Sequence, residues 1–219
     1  MVAGTREHGD NKMNYTELKA NIQNFVEDDS TELTNSIDVI ISQAEEMIFQ
    51  RLPSLPCFRQ TTSGTLSVGT ADYTVANARM IRQVSITSSN VVSFLDHRID
   101  SYLRDYHPNA TTTGTPRMYS TKNAGTSGTV ITLAPTPSST LSYQVDFAAP
   151  ETGLSDSNAN SWIGNNAENV LLKAALYETS TFLKASETVS LYKGQFDEAI
   201  QLFQQEMGRN YSAEYNGGI

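Results

Sequence analysis

A chain of 219 residues with 38% hydrophobic and 18% charged residues suits one domain, or one domain carrying a sizeable insertion, and is too apolar for a disordered polymer. Its formal net charge of −9 argues against a protein whose main task is gripping phosphates with clustered Lys and Arg, although an acidic wall beside nucleic acid would repel it and let it slide. The single cysteine, Cys57, excludes an internal disulfide and gives no metal spacing. Met1 to Lys12 holds no apolar run, and no stretch approaches the roughly 18 apolar residues of a membrane span, so neither a secretory leader nor a membrane partner is expected.

Residues 1–13 are polar and aperiodic, and read as an extended arm that orders only against a partner. At Asn14 a capping box begins, with Glu17 three residues on. Leu18, Ile22, Phe25 and Val26 then follow at helical spacing. Asp28-Asp29-Ser30 breaks this helix; it lacks the alternating oxygen ligands and bidentate Glu of a calcium loop and reads as a solvated turn. A second helix places Ile37, Ile40, Ile41, Ala44, Ile48 and Leu52 on one face, with Glu45, Glu46 and Arg51 outside, and Pro53 stops it.

From Pro56 to Pro150 the period changes to two, and from there to Asn160 the sequence is loop-like. Thr65–Val68 and Asp72–Val75 flank a turn at Gly69 and predict a hairpin; Arg79–Thr87 and Asn90–Leu95 predict a second. A short helix is expected over 96–106, then a loop at 111–116 and a strand from Arg117 to Ser120. Leu141 to Phe147 alternates without a fault, four apolar residues against three polar, and Val130–Leu133 is expected to pair with it across Pro135-Thr136-Pro137-Ser138.

Asn166 to Ala185 is apolar almost all the way round at Val170–Tyr177, so it should be a central helix covered on several sides. Ala174 and Ala175 would let neighbouring helices approach closely. The last helix carries Leu191, Tyr192, Phe196, Ile200, Phe203 and Met207, with Gly208 as its stop and an extended tail over 208–219. The fold class is therefore α+β: a four-helix layer from 14–55 and 161–207, with an antiparallel β insertion over 56–160. Ile41, Ile48, Leu171, Ala174, Ala175, Phe182, Phe196 and Phe203 are its expected helical core, and Trp162 anchors the entrance to the central helix or serves a subunit interface.

No reactive constellation stands out. Asp96, His97, Asp100, Asp105 and His107 are the densest polar cluster, with Asp96 and Asp100 on one helical face, but His97 cannot join them and His107 lies past the helix end. Gly125-Thr126-Ser127-Gly128 is one residue short of a nucleophile elbow, and neither glycine-rich phosphate pattern occurs. Cys57 lies in apolar Leu55-Pro56-Cys57-Phe58, where a buried, inert thiol is expected. Catalytic residues, metal ligands and cofactors are accordingly expected to be none.

Several phrases, in order, carry a resemblance. Tyr15-Thr16-Glu17-Leu18 opens the first helix, and Gln43-Ala44-Glu45-Glu46-Met47-Ile48 with Arg51-Leu52-Pro53 closes the second. Tyr106-His107-Pro108-Asn109, Gly114-Thr115-Pro116-Arg117-Met118-Tyr119 and Leu133-Ala134-Pro135-Thr136-Pro137 follow, then Trp162-Ile163, Phe182-Leu183-Lys184 and Leu191-Tyr192-Lys193. From about residue 14 to 207 the chain resembles the head-to-tail adaptor (connector) proteins of tailed bacteriophages, including the tail-tubular type of short-tailed phages. The resemblance implies a non-enzymatic virion protein of the phage neck, made in the host cytoplasm. It implies a ring, usually of twelve copies, below the portal protein, which continues the channel for genomic DNA without binding it specifically. The ring would also give a downstream tail or nozzle protein its attachment surface. In such proteins the helical part and extended termini meet the portal and the β insertion points to the tail. The arm before Asn14 and the tail after Gly208 match no family pattern; Tyr211 and Tyr215, large and partly polar, are the expected anchors of that tail on a partner.

The Thr-rich insertion also suits a carbohydrate-binding adhesin of the tail or neck, and a wall-degrading hydrolase is a further alternative. Portal-dependent ring formation separates the adaptor from both.

Overall fold

The computed structural model describes residues 12–109, 111–125 and 128–216, with 209–216 described for backbone alone. The chain is α+β and divides into two units. One comprises the described residues up to Leu52 together with those from Pro150 onward, and the other comprises Pro53–Ala149.

In the helical unit, α1 (Tyr15–Val26) starts with the expected capping box. The Asn14 side chain accepts from the Glu17 N–H at 2.9 Å, and Glu17 accepts from the Asn14 N–H at 3.0 Å. Glu27, in the left-handed region at φ 53°, ends the helix. The Asp28 carboxylate accepts from the Ser30 N–H, and Ser30 in turn caps α2 (Thr31–Arg51). A short α4 (Trp162–Asn166) leads into α5 (Glu168–Phe182), followed by α6 (Ser186–Asn216). Helix α5 packs against α1, α2, α4 and α6. Val170, Leu171, Ala174, Ala175 and Leu176 are buried accordingly. Thr179 and Ser180 are buried too, because their hydroxyls donate back to the carbonyls of Ala175 and Leu176 at 2.7 and 2.8 Å.

Several details differ from expectation. The run from Asn166 to Ala185 is not one helix: the chain breaks at Ala167 and ends α5 before Lys184, which sits at φ 55°. Phe25 and Leu191, assigned by periodicity to apolar faces, are 52% and 55% exposed. Up to Asn216, the stop at Gly208 and the extended tail do not occur. Helix α6 continues through Gly208, whose φ is not positive; glycine weakens a helix interior but stops one only where it turns left-handed. Residues 217–219 lie outside the described residues.

In the insertion, a 3-10 turn (Pro56–Phe58) precedes β1 (Arg59–Thr65), β2 (Asp72–Val75), β3 (Met80–Ser88), β4 (Val91–Phe94) and β5 (Asp96–His97). After α3 (Asp100–Tyr106) come β6 (Thr113–Gly114), β7 (Met118–Asn123), β8 (Thr129–Ala134), β9 (Thr136–Pro137) and β10 (Ser142–Ala148). One sheet has the order β1-β10-β3-β4, all antiparallel; a second has β2-β8-β7-β5, with β5 parallel to β7; β6 and β9 form a small parallel pair. Both four-stranded sheets contribute to one core, including Val84, Ile86, Val145 and Phe147 from the first and Val75, Tyr119, Ile131 and Leu133 from the second.

The β3–β4 hairpin forms, although Asn90, expected in its second strand, belongs to the turn: Ser89 and Asn90, at φ 49° and 64°, are the pair of left-handed residues that a two-residue turn matching strand twist needs. The hairpin expected around Gly69 does not form. Leu66, fully buried, extends the β1–β10 ladder by donating to the Leu141 carbonyl, and the chain then crosses to the other sheet, where β2 pairs with β8. Nor does Val130–Leu133 pair with the strand at 142–148: β8 lies between β2 and β7, while β10 lies between β1 and β3. The helix expected over 96–106 is confined to 100–106, because Asp96 donates its N–H to the Arg117 carbonyl and joins the second sheet.

Candidate interaction surfaces

The segment from Glu151 to Ile163 is held on the helical unit by two carboxylates. Glu45, on α2, accepts the Leu154 N–H with both oxygens, at 3.1 and 3.2 Å. It is therefore not on the outer face expected for it. Burial pushes its pKa up to about 7; the Leu154 N–H works against that shift and the charge of Glu151 adds to it. Glu151 accepts the N–H groups of Trp162 and Ile163, at 3.0 and 3.3 Å, while the Ser161 hydroxyl accepts from Gly164 at 3.0 Å. The first turn of α4 thus has its donors satisfied by side chains. Met13 completes the locus: its N–H donates to the Gly164 carbonyl at 3.0 Å, which ties the start of α1 to α4.

Trp162 is half-buried, its ring edge-on to Phe203 of α6 at 6.5 Å, so one side packs and the other meets solvent. Leu171, Ala174, Ala175, Ile41, Ile48, Phe196 and Phe203 are buried; Phe182 is only half-buried, at the end of α5. Tyr211 and Tyr215 fall in the backbone of α6, and their side chains lie outside the described residues.

In the insertion, the polar cluster is dispersed. Asp96 pairs with Arg98 at 3.5 Å and Asp100 with Arg104 at 2.7 Å, and the two acids share no helical face because Asp96 is in a strand. His97 instead lies against Tyr119 with its ring tilted by 40°, the centroids 5.0 Å apart. A cleft of about 500 Å³ is lined by Asp72, Asp100, Arg104, His107, Asn109 and Lys122, among others. Within it Asp72 accepts from Lys122 and from the Thr132 hydroxyl, both at 2.6 Å; burial alone would raise its pKa, but these bonds prevail and lower it. Among the described residues, no three His, Cys, Asp or Glu converge as metal ligands would, and no helix is long and apolar enough to cross a membrane. Cys57 is half-buried, not buried as expected; Thr126 and Ser127 lie outside the described residues.

One surface was not anticipated. All four residues of β4 are exposed, and Val91, Val92 and Phe94 reach 63%, 54% and 64%. The sequence signal was present: Val-Val-Ser-Phe does not alternate as a strand with one buried face would.

A half-buried Trp, a long terminal helix and an exposed apolar edge strand are the candidate contact surfaces of the described residues, and no reactive constellation stands beside them. Over residues 13–217 the chain matches the family described as SU10 adaptor protein, and it belongs to that family. It is thus a bacteriophage adaptor, as its resemblance to head-to-tail adaptors implies, in a family that is structural and not enzymatic. No curated protein matches the chain.

Proposed function

We propose that the protein is the head-to-tail adaptor of a tailed phage, a ring of twelve copies fixed below the portal in the virion neck. The ring extends the DNA channel and presents the surface on which a downstream tail or nozzle protein assembles. The family match across nearly the whole chain carries this reading. Charge supports it. The insertion, Pro53–Ala149, holds seven Lys and Arg against five Asp and Glu, net +2, while the remaining residues hold eight against nineteen, net −11. The helical unit therefore carries the acidic surplus, and it is the part suited to flank DNA without retaining it. Trp162, Tyr211 and Tyr215 are the proposed anchors on portal or neighbour.

The test is to mix the protein with the portal of the same particle, weigh the complex and image it. A ring of about a dozen copies capping the portal is expected for a closed cyclic assembly. A portal that stays bare under assembly conditions refutes the adaptor role. Truncation before residue 209 should weaken attachment; undiminished attachment would remove Tyr211 and Tyr215 from the contact.

A further inference from the structure

The first sheet of the insertion ends in two open edges of different chemistry. In the β3–β4 ladder the Leu95 N–H donates to the Val84 carbonyl at 2.9 Å. With the register Ile86–Ser93 and Ser88–Val91, this makes those pairs the hydrogen-bonded ones and turns the N–H and C=O of Val92 and Phe94 outward. At the opposite margin the Leu66 N–H donates to the Leu141 carbonyl at 2.8 Å, so the same alternation turns the backbone groups of Arg59, Thr61, Ser63 and Thr65 outward.

Natural edge strands are kept very short, or are blunted by charged side chains, Pro or a bulge, or are covered. Strand β4, Val-Val-Ser-Phe, is short but has no charge or Pro, and β1 runs for seven residues with one charge, Arg59 at its start, and no Lys or Pro. The register shift in this sheet lies between β10 and β3, away from both edges. Direction also fits. With four strands all antiparallel, β4 runs opposite to β1. A second copy related by simple rotation about a ring axis therefore brings its β1 antiparallel to β4. That arrangement sets the end of β4 beside the start of β1. Exposed Asp96 lies two residues past the first, in β5 of the second sheet and 3.5 Å from Arg98, and exposed Arg59 opens the second, so opposite charges come to the same end of the junction.

We propose that β4 of one copy pairs antiparallel with β1 of the next, so that the junction between neighbouring subunits is a continued β-sheet. Val92 and Phe94 are covered by it, and Asp96 faces Arg59 across it. A head-to-tail ring needs two different patches on each subunit, and the two edges of one sheet supply them. The proposal rests on the ring reading above.

The test uses the full chain with the portal. Val92→Pro removes an N–H that points out of the sheet, so the β3–β4 ladder keeps its bonds while the edge loses a donor. The variant should melt like the parent yet need about tenfold more protein for ring closure, the effect of one lost interfacial hydrogen bond. Arg59→Asp and Asp96→Arg should each weaken closure, and the double variant should recover it, which keeps the test decisive if the proline variant misfolds. Rings of Val92→Pro at the parent's concentration, or a double variant as weak as its singles, overturn the edge junction and leave the adaptor reading standing. A parent that forms no ring overturns both.

Discussion

Glu45 provides the sharpest test of the packing between α2 and the segment after Pro150. Its carboxylate is pushed up to about 7 from an ordinary value of 4.5, first by burial and further by Glu151, although the Leu154 N–H pulls the other way. Between those two values the folded chain holds a proton that the unfolded chain has lost. Stability is therefore greatest at the acid end, falls as pH rises from about 4.5 to about 7, and levels off above. At about 1.4 kcal/mol per unit, the full ionisation cost is on the order of 3 kcal/mol. Glu45→Gln stands in for the protonated acid: it removes the charge, and its amide oxygen still accepts the Leu154 N–H, whose stronger bond to the carboxylate is already contained in the net shift. The variant should thus exceed the parent by about 3 kcal/mol at pH 8 and lose most of that advantage at pH 5. Urea unfolding at several pH values, followed by helical circular dichroism, measures both curves. Parallel curves with a constant offset would show that Glu45 does not ionise late, and would refute the burial assigned to it.

Three further outcomes follow from particular contacts. A Cβ on Gly164 would lie 2.3 Å from the Met13 carbonyl oxygen, so Gly164→Ala should cost about 1–3 kcal/mol in a thermal melt by prising α4 from the start of α1. Asn14→Ala, which removes one half of the capping box, should cost about 1 kcal/mol, and Asn14→Asp should restore most of it. Lys122→Met breaks an ion pair whose side chains are both 51% exposed, so the melt should move by less than about 1 kcal/mol despite the 2.6 Å separation.

Helices were legible because their signals are local. The box at Asn14 and Glu17, the face from Ile37 to Leu52 and the stop at Pro53 each act within a few residues, and all are present. Strand faces were legible for the same reason: Val145 and Phe147 are buried while Ser142 and Gln144 are exposed. Strand partners were not. Alternation specifies which side of a sheet a residue occupies, and any neighbour of matching pleat satisfies it. The short loops around Gly69 and Pro135 favoured hairpins, but burial of Leu66 carries β1 onto β10, and the chain changes sheets on both occasions. Glu45 was misplaced because helical spacing sees α2 alone, and the segment that covers it lies more than a hundred residues away. The exposed edge at β4 could have been found from its missing alternation, but its vacant outward bonds require the ladder.

Charge shows how far a sequence total can mislead without unit boundaries. A net −9 suggests an evenly acidic protein, whereas the division at Leu52 and Pro150 concentrates −11 in one unit and leaves +2 in the other. Copies placed side by side in a ring repel through their helical units, and the insertion is the electrostatically cheaper place for a subunit junction. Screening should then help neighbours join: the Debye length shrinks from about 14 Å near 0.05 M salt to about 6 Å near 0.3 M. The readout is the cooperativity with which subunits fill a portal, scored by native mass as complete against partial rings, because cooperativity reports neighbour contacts separately from portal contacts. It should rise with salt, with the single Asp96–Arg59 contact too exposed to reverse the trend. Cooperativity that falls as salt rises would mean that oppositely charged faces join the copies, and would move the junction off the near-neutral β edges.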